Sequence, residues 1–219
     1  QEQTPDQPAV ATNAVEAQAT NTESNTSTGH YYSDDKGNWY YKDANGENLK
    51  GAQTIDGQNV YFRDNGQQVK GGLAKPNGFL DRYYDVDSGD LWTNRYVEFN
   101  GNWYYLGNDG KPVTGAQTIN GQEVFFHRYH GFQIKGDFAG YYSEVSTDGN
   151  YYDGQTGDKV THKGFVQRKL GDWFYLDDKG DKVMGLQTID GKLYYFTASG
   201  ASKYIQYGKQ VKGEAISFV

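Results

Sequence analysis

The fold depends on one stretch of sequence, Gly51-Ala52-Gln53-Thr54-Ile55-Asp56-Gly57, which is followed by Val60-Tyr61-Phe62. Asp-Gly supplies the positive φ angles that a two-residue hairpin turn requires, and β-branched and aromatic runs on both sides are typical of strands. The stretch therefore predicts a short β-hairpin. It returns as Gly115-Ala116-Gln117-Thr118-Ile119-Asn120-Gly121 with Val124-Phe125-Phe126, and as Gly185-Leu186-Gln187-Thr188-Ile189-Asp190-Gly191 with Leu193-Tyr194-Tyr195-Phe196.

Each copy of this stretch belongs to a longer block that opens with a tryptophan and closes with Gln-x-Lys-Gly. The Trp precedes the Gln of Gln-Thr-Ile by 14 residues in all three blocks, and that Gln precedes the closing Phe by 9. Such constant spacing indicates an internal repeat. The openings are Trp39-Tyr40-Tyr41, Trp103-Tyr104-Tyr105 and Trp173-Phe174-Tyr175; the closings are Gln68-Val69-Lys70-Gly71, Gln133-Ile134-Lys135-Gly136 and Gln210-Val211-Lys212-Gly213.

Two shorter blocks separate the long ones, and they open with Tyr83-Tyr84-Asp85 and Tyr151-Tyr152-Asp153. The long units cover about 38–72, 102–137 and 172–214, and the short units about 81–99 and 149–168. Hairpins of this size do not fold alone and must stack on their neighbours. We therefore predict an all-β fold, a β-solenoid of stacked short β-hairpins over residues 30–219.

The composition agrees with thin layers rather than one thick core. The chain has 20 Tyr, 11 Phe, 4 Trp and 29 Gly, and only 36% of it is hydrophobic. Aromatic side chains must then supply most of the buried area. Residues 1–29 contain neither an aromatic residue nor a Lys or Arg, so we interpret them as a disordered linker or variable leader.

Charge and residue usage exclude several classes of function. The net charge is −7 and no basic cluster is present, so nucleic acid is not expected as a partner. We expect no membrane span, because no apolar run approaches about 18 residues. The absence of Cys removes disulfides and thiolate metal sites.

These blocks resemble the glucan-binding repeats of glucansucrases, the dextransucrase-type enzymes of glycoside hydrolase family 70. The resemblance covers roughly residues 31–219 and lies in Trp-Tyr-Tyr, Gly-x-Gln-Thr-Ile-Asp-Gly, Tyr-Phe and Gln-Val-Lys-Gly. It implies a non-catalytic, monomeric module that binds α-glucan or isomalto-oligosaccharide without a cofactor. It also implies a secreted or cell-surface location in a Gram-positive bacterium, with a catalytic region that uses sucrose elsewhere in the parent protein.

Choline-binding repeats are similar too, and they provide the alternative of a choline-binding cell-wall attachment module. Those repeats place a Trp directly after the Gly that ends the first hairpin, where it helps to enclose a trimethylammonium group by cation–π attraction. Here the corresponding residues are Ala52, Ala116 and Leu186, so the aromatic box is incomplete.

A sugar site needs an aromatic surface for the C–H face of the ring and planar or charged partners for its hydroxyls. The Gln and Lys of each Gln-x-Lys are two residues apart and project to one face of a strand, while the residue between them faces the core. The candidates are Gln68 with Lys70, Gln133 with Lys135, and Gln210 with Lys212. The buried residues between them would be Val69, Ile134 and Val211.

We expect Tyr84 and Tyr152 to be the aromatic platforms, because they follow the first two Gln-x-Lys pairs, with Tyr61 and Tyr195 in support. The three tryptophans at the block openings are interpreted as structural. The repeated Gln-Thr pairs have two open interpretations, ligand contact or hydrogen bonding between hairpins. They are Gln53 with Thr54, Gln117 with Thr118, and Gln187 with Thr188.

Catalytic and metal sites are not expected. Glycoside hydrolysis requires two carboxylates at a defined separation in a cleft, whereas the acids here lie mainly in turns. The run from Asp85 to Asp90 weakly resembles a calcium loop, but the matching second block lacks the second acid. His127 and His130 have no third ligand nearby and are interpreted as ordinary surface histidines.

Overall fold

The computed structural model describes residues 29–142, 149–198 and 207–213. Within these ranges the chain forms antiparallel two-stranded hairpins and one short 3-10 turn, Ala139–Tyr142. The predicted all-β class of stacked short hairpins is therefore confirmed. The hairpins pair β1 (His30–Ser33) with β2 (Trp39–Lys42), β3 (Gly51–Ile55) with β4 (Gln58–Phe62), β5 (Gly71–Ala74) with β6 (Leu80–Tyr84), β7 (Arg95–Phe99) with β8 (Asn102–Leu106), β9 (Gly115–Ile119) with β10 (Gln122–Phe126), β11 (Asp137–Phe138) with β12 (Tyr151–Tyr152), β13 (Gly164–Gln167) with β14 (Trp173–Leu176), and β15 (Gly185–Ile189) with β16 (Lys192–Phe196).

The stretch from Gly51 to Phe62 forms the β3–β4 hairpin in the expected register. Ile55 pairs with Gln58 and Gln53 pairs with Val60, so two residues remain for the turn. Their φ angles are +50° at Asp56 and +80° at Gly57. Both values are positive, as in a type I′ turn, which matches the twist of the flanking strands. The Asp-Gly dipeptide therefore fixes this hairpin and its register.

Four of the hairpins are joined to the preceding one by a backbone hydrogen bond. In each case one residue that follows the hairpin forms a β-bridge with the last part of the hairpin's second strand. The same residue donates its backbone N–H to a carbonyl in the second strand of the preceding hairpin. These hydrogen bonds satisfy groups that a lone two-stranded hairpin would leave open. They run from Gln68 to Trp39 (2.7 Å), Leu91 to Asn59 (2.8 Å), Lys159 to Glu123 (2.8 Å) and Gln210 to Trp173 (2.7 Å).

The chain divides into two compact units. Unit 1 contains the described residues up to Val113 together with 130–132, and unit 2 contains Thr114–Tyr129 and the described residues from Gln133 onward. Among the residues that the structure describes, each unit holds small aromatic-rich clusters. In unit 1 they are built on Tyr41, Ile55, Val60 and Phe62, and on Leu80, Val97, Tyr104 and Leu106; in unit 2 on Phe138, Tyr151, Val160, Phe174 and Leu176, and on Tyr175, Ile189 and Phe196.

The predicted leader lies outside the described residues except for Gly29. The residue boundaries given for the long and short repeat blocks stay predictions. None of the helices in the described part of the chain has the length and apolar character needed to cross a bilayer.

Candidate functional site

The first Gln-x-Lys pair lies beside the tryptophan that opens its block. The ammonium of Lys70 stands 5.4 Å from the ring centroid of Trp39, and its Nζ also donates to the carbonyl oxygen of Asp87. The amide of Gln68 donates to the carbonyl oxygen of Ser88 at 3.4 Å. Both side chains thus turn toward the same loop of the following short block, and Val69 between them is buried as predicted.

That loop, residues 85–90, is held in shape by Asp85. Its carboxylate accepts the backbone N–H groups of Ser88 at 2.8 Å and Asp87 at 3.0 Å, and the indole N–H of Trp92 at 3.3 Å. The backbone N–H of Ser88, followed by that of Asp87, lowers the pKa of Asp85 to about 2. The carboxylate therefore organises the turn itself.

Gly89 allows the close approach of Gln68 to this loop. A Cβ at Gly89 would lie 2.2 Å from Nε2 of Gln68, and the φ of Gly89 is +77°. Only glycine meets both conditions without strain. The Gly of the short block is consequently part of the geometry that positions the Gln-x-Lys pair.

A shallow cavity of about 150 Å³ opens beside these groups in unit 1. Trp39 is 40% exposed at its rim and offers indole surface to a ligand. Most of the other lining side chains are polar, and the Gln67 amide donates to the Asn38 side-chain oxygen at 2.8 Å. The cavity is lined by Gly37, Asn38, Trp39, Arg63, Gln67, Gln68, Val69 and Lys70.

The second Gln-x-Lys pair, in unit 2, repeats the contact with the short block. Lys135 donates to the carbonyl oxygen of Gln155 at 3.1 Å, which corresponds to the Lys70 contact with Asp87. A Cβ at Gly157 would lie 2.4 Å from Nε2 of Gln133, which corresponds to the approach of Gln68 to Gly89. Ile134 is buried as predicted.

The third pair repeats the contact with tryptophan. The ammonium of Lys212 stands 5.2 Å from the ring centroid of Trp173, and the backbone N–H of Gln210 donates to the Trp173 carbonyl. Lys209, which precedes Gln210, forms a salt bridge at 2.9 Å with Asp172, which precedes Trp173. At the corresponding positions of the first block the amides of Gln67 and Asn38 are hydrogen-bonded. Val211 is only half-buried, in contrast to Val69 and Ile134.

The glutamines of the three Gln-Thr pairs have a local role. Each donates its side-chain amide to the carbonyl three residues earlier at 2.8 Å: Gln53 to Lys50, Gln117 to Thr114, and Gln187 to Met184. Their threonines, Thr54, Thr118 and Thr188, are exposed on the hairpin surface. The structure thus adds a third interpretation, stabilisation of the residues that lead into each hairpin.

The two tyrosines expected as platforms lie in the core. Tyr84 is 5% exposed and Tyr152 is 2% exposed, so neither offers an open ring face in this structure. Burial raises the pKa of Tyr84 to about 12. Tyr61, a supporting candidate, is half-buried with its ring centroid 6.2 Å from that of Tyr84, and Tyr195 is half-buried as well.

Beside the first Gln-x-Lys pair the exposed aromatic surface belongs instead to Trp39, and Trp103 is 42% exposed as well, although the sequence interpretation made both tryptophans structural. Trp39 is the first residue of β2 and pairs with Ser33, the last residue of β1, next to the turn. A bulky residue at a hairpin end has strand neighbours on one side only. Its place directly after Gly37-Asn38 is the sequence signal that predicts this exposure.

The expectation for the two histidines was wrong for His127. This residue is buried, and its Nδ1 accepts the backbone N–H of Tyr129 at 3.2 Å. His130 is half-buried and stacks on Phe79, with ring centroids 4.0 Å apart. Among the described residues no group of three or more His, Cys, Asp or Glu is arranged to hold a metal.

Two families of repeats match this chain. The choline-binding repeat matches residues 49–96 and 113–165, and the cell wall binding repeat matches residues 94–111, 163–182 and 184–202. Both sets of matches fall on the hairpins that carry the groups described above.

Streptococcal glucosyltransferases are similar in sequence. Glucosyltransferase-I of Streptococcus downei is 40% identical over 182 residues, which are 82% of this chain and 10% of the relative. Glucosyltransferase-I of Streptococcus mutans is 44% identical over 189 residues, which are 85% of this chain and 12% of the relative. The chain thus spans about a tenth of the length of these relatives.

Among solved structures, the modular autolysin LytC from Streptococcus pneumoniae has the same fold. The TM-score is 0.51 at 18% identity, and the match covers 84% of this chain and 39% of that one. At this identity the likeness concerns the fold alone.

Proposed function

The chain belongs to the family of choline-binding and cell-wall-binding repeats and is homologous to a part of streptococcal glucosyltransferases; from this premise we propose that it is a non-catalytic module that binds α-glucan. One observation supports the choice of ligand. In the first and third blocks a lysine ammonium stands 5.4 Å and 5.2 Å over a tryptophan ring, beside a glutamine of the same Gln-x-Lys pair.

This arrangement suits a neutral sugar. An ammonium has three N–H donors, and at Lys70 one of them is directed to the Asp87 carbonyl while the tryptophan lies below. The outward donors are then available to the hydroxyl rim of a glucose unit. The exposed part of Trp39 supplies apolar surface for the C–H face of the same unit. Gln67, Asn38 and Arg63 add polar groups at the cavity wall.

The same roles are proposed for the other blocks. Lys135 with Gln133 and Lys212 with Gln210 are the hydroxyl partners there. The half-buried Tyr61 of the first block and Tyr195 of the third are edge contacts. The buried Tyr84 and Tyr152 support the loop of the short block and contact sugar only if that loop opens. The exposed Thr54, Thr118 and Thr188 are accessible to glucose units on the surfaces of their own hairpins.

Repetition makes the module multivalent. A shallow site that holds one or two glucose units binds with a dissociation constant on the order of 1 mM. A long glucan held at one site presents its next units to another at high effective concentration, which raises the overall affinity by roughly 100-fold where both sites are reached. A monomer is sufficient for this mechanism.

We further propose that the module is part of a secreted or cell-surface glucansucrase that makes α-glucan from sucrose. The glucosyltransferase relatives support this origin, and so does the resemblance of the Gln-Thr-Ile-Asp-Gly and Gln-x-Lys motifs to the repeats of glucansucrases. A binding module of this kind keeps the growing polymer near the enzyme that extends it.

Affinity electrophoresis in gels that contain dextran, starch or no polysaccharide tests the ligand. We expect retardation in dextran, and a weaker retardation for Trp39→Ala by about fivefold in affinity, since one stacking contact contributes about 1 kcal/mol. Tyr129→Ala is the matched control, because Tyr129 is an exposed aromatic outside the proposed sites. Equal mobility in all three gels would contradict glucan binding, and elution from a choline resin by free choline would favour the choline-binding alternative.

A further inference from the structure

Three of the four tryptophan rings of this protein lie against one of its own cations. Lys70 stands 5.4 Å from the Trp39 centroid and Lys212 stands 5.2 Å from the Trp173 centroid. In the first short block the guanidinium carbon of Arg95 stands 4.9 Å from the Trp92 centroid. All three distances fall within the range of about 6 Å in which a cation is attracted by the ring.

A trimethylammonium ligand needs the place that these side chains fill. It binds by the same attraction, to the same face and within the same distance. A lysine attached to the chain competes with it at a high effective concentration. The positive charge of the lysine also repels a second cation that approaches the ring, which costs about 1 kcal/mol even at 4 Å in water.

A hydrogen bond to the loop of the short block also holds Lys70 in this position. Its Nζ donates to the Asp87 carbonyl, and that carbonyl belongs to the loop organised by the Asp85 carboxylate. Lys212, in contrast, is exposed. The ammonium over Trp39 is therefore more strongly fixed than the ammonium over Trp173.

We propose that Lys70 and Lys212 are specificity-determining residues: each places an internal ammonium on a tryptophan face, which excludes quaternary ammonium ligands and leaves N–H donors for neutral hydroxylated ones. The exclusion of cations stands on the lysine–tryptophan geometry, while the preference for hydroxyls rests on the proposed glucan-binding function. The lysine thus converts a cation-accepting surface of the choline-binding repeat fold into a hydrogen-bond-donating one.

The test removes the internal cation and keeps the apolar stem. In Lys70→Met we expect tetramethylammonium chloride to shift the indole N–H signal of Trp39 in a saturable way, whereas the unmodified chain shows no saturable shift over the same range of concentrations. Sodium chloride at equal concentration corrects for ionic strength. Lys50→Met, at an exposed lysine outside the site, should behave like the unmodified chain. Lys70→Arg, which restores a cation, should exclude tetramethylammonium again.

Two results would overturn the proposal: saturable binding of tetramethylammonium at Trp39 in the unmodified chain, or equal binding by Lys70→Met and the unmodified chain. Lys70→Gln is measured in parallel, so that a folding defect of the methionine variant does not decide the outcome. Dextran retardation of the same variants separates the two ideas. If the unmodified chain ignores dextran but Lys70→Met gains tetramethylammonium binding, the glucan proposal fails and the exclusion of cations stands.

Discussion

Two equivalent places in the repeat are filled in opposite ways. Gly72 in unit 1 follows Lys70-Gly71, and the ring of Phe99 lies against it so closely that a Cβ at Gly72 would be 2.3 Å from a ring carbon. Asp137 in unit 2 follows Lys135-Gly136 and pairs with Arg168, which holds the place of Phe99. An apolar ring over glycine and a buried ion pair thus support the same hairpin backbone, which shows that the fold does not depend on one core chemistry.

Of the two arrangements, the buried ion pair requires more specific partners. Asp137 is 1% exposed and Arg168 is 6% exposed, and two hydrogen bonds join them, from Nε to Oδ1 at 2.5 Å and from Nη2 to Oδ2 at 3.0 Å. Lys182 lies 4.3 Å from the ring centroid of Phe138, and burial, followed by the charge of Arg168, lowers the pKa of Lys182. The charge of Asp137 therefore acts on two cations, Arg168 and Lys182, and the carboxylate of Asp172 lies 3.8 Å from Nη1 of Arg168 as well.

The largest effect is expected for Asp137→Ala. Removal of one partner from a buried pair leaves an uncompensated charge and costs about 3–5 kcal/mol. Urea unfolding followed by circular dichroism measures this loss.

The double variant Asp137→Leu with Arg168→Met separates charge from packing. It should recover most of the stability, because well-packed apolar residues replace a buried ion pair with little or no loss. If the double variant is as unstable as Asp137→Ala, the charge balance is not what unit 2 requires at this place.

A smaller loss is expected for Gly72→Ala in unit 1. The added methyl group displaces the Phe99 ring, and overpacking of this kind costs typically 1–3 kcal/mol. The comparison is made by urea unfolding with Gly149→Ala, where a Cβ would meet nothing within 4 Å. Equal stability of the two variants would show that the ring is free to move and that the contact with Gly72 is not structural.

The smallest effect concerns the loops of the two short blocks. The backbone N–H of Ser88 lowers the pKa of Asp85 to about 2, and the backbone N–H of Thr156 likewise lowers the pKa of Asp153, each from an ordinary value of 3.8. Because the folded pKa is depressed, the contribution of Asp85 is complete above pH 3.8 and is lost as the pH falls toward about 2. Titration of the Asp87 and Ser88 amide signals by NMR should therefore show a midpoint near pH 2. A midpoint at 3.8 or higher would mean that the carboxylate does not hold the loop.

The hairpins were predictable because their determinants are local. Asp56-Gly57 needs only its own two φ angles to close a turn, and the spacing from Trp39 to Gln53 is identical in all copies. Val69 and Ile134 were placed correctly by the same reasoning, since alternation along an extended segment decides which side chain turns inward.

The binding surface was less predictable because it depends on neighbours from other hairpins. Alternation along the strand predicts that the side chains of Tyr83 and Tyr84 point to opposite sides. It does not predict which of the two sides is covered by the next hairpin. The structure covers Tyr84 and leaves Trp39 open. The partners Asp137 and Arg168 are 31 residues apart in sequence, and nothing in a single Asp after glycine indicates so distant a cation.

The hydrogen bonds that join successive hairpins have a genetic consequence. They run from the backbone N–H groups of Gln68, Leu91, Lys159 and Gln210 to backbone carbonyls, so these four contacts do not depend on the identity of the side chains. Unequal recombination between DNA segments that encode whole long–short pairs then yields chains that still fold, as in other arrays whose repeats contact only their neighbours. The spacings from Trp39 to Trp103 and from Trp103 to Trp173, 64 and 70 residues, mark the segments that exchange in register. We expect related proteins to differ in length by multiples of about 64–70 residues, and therefore in the number of their sugar-binding sites.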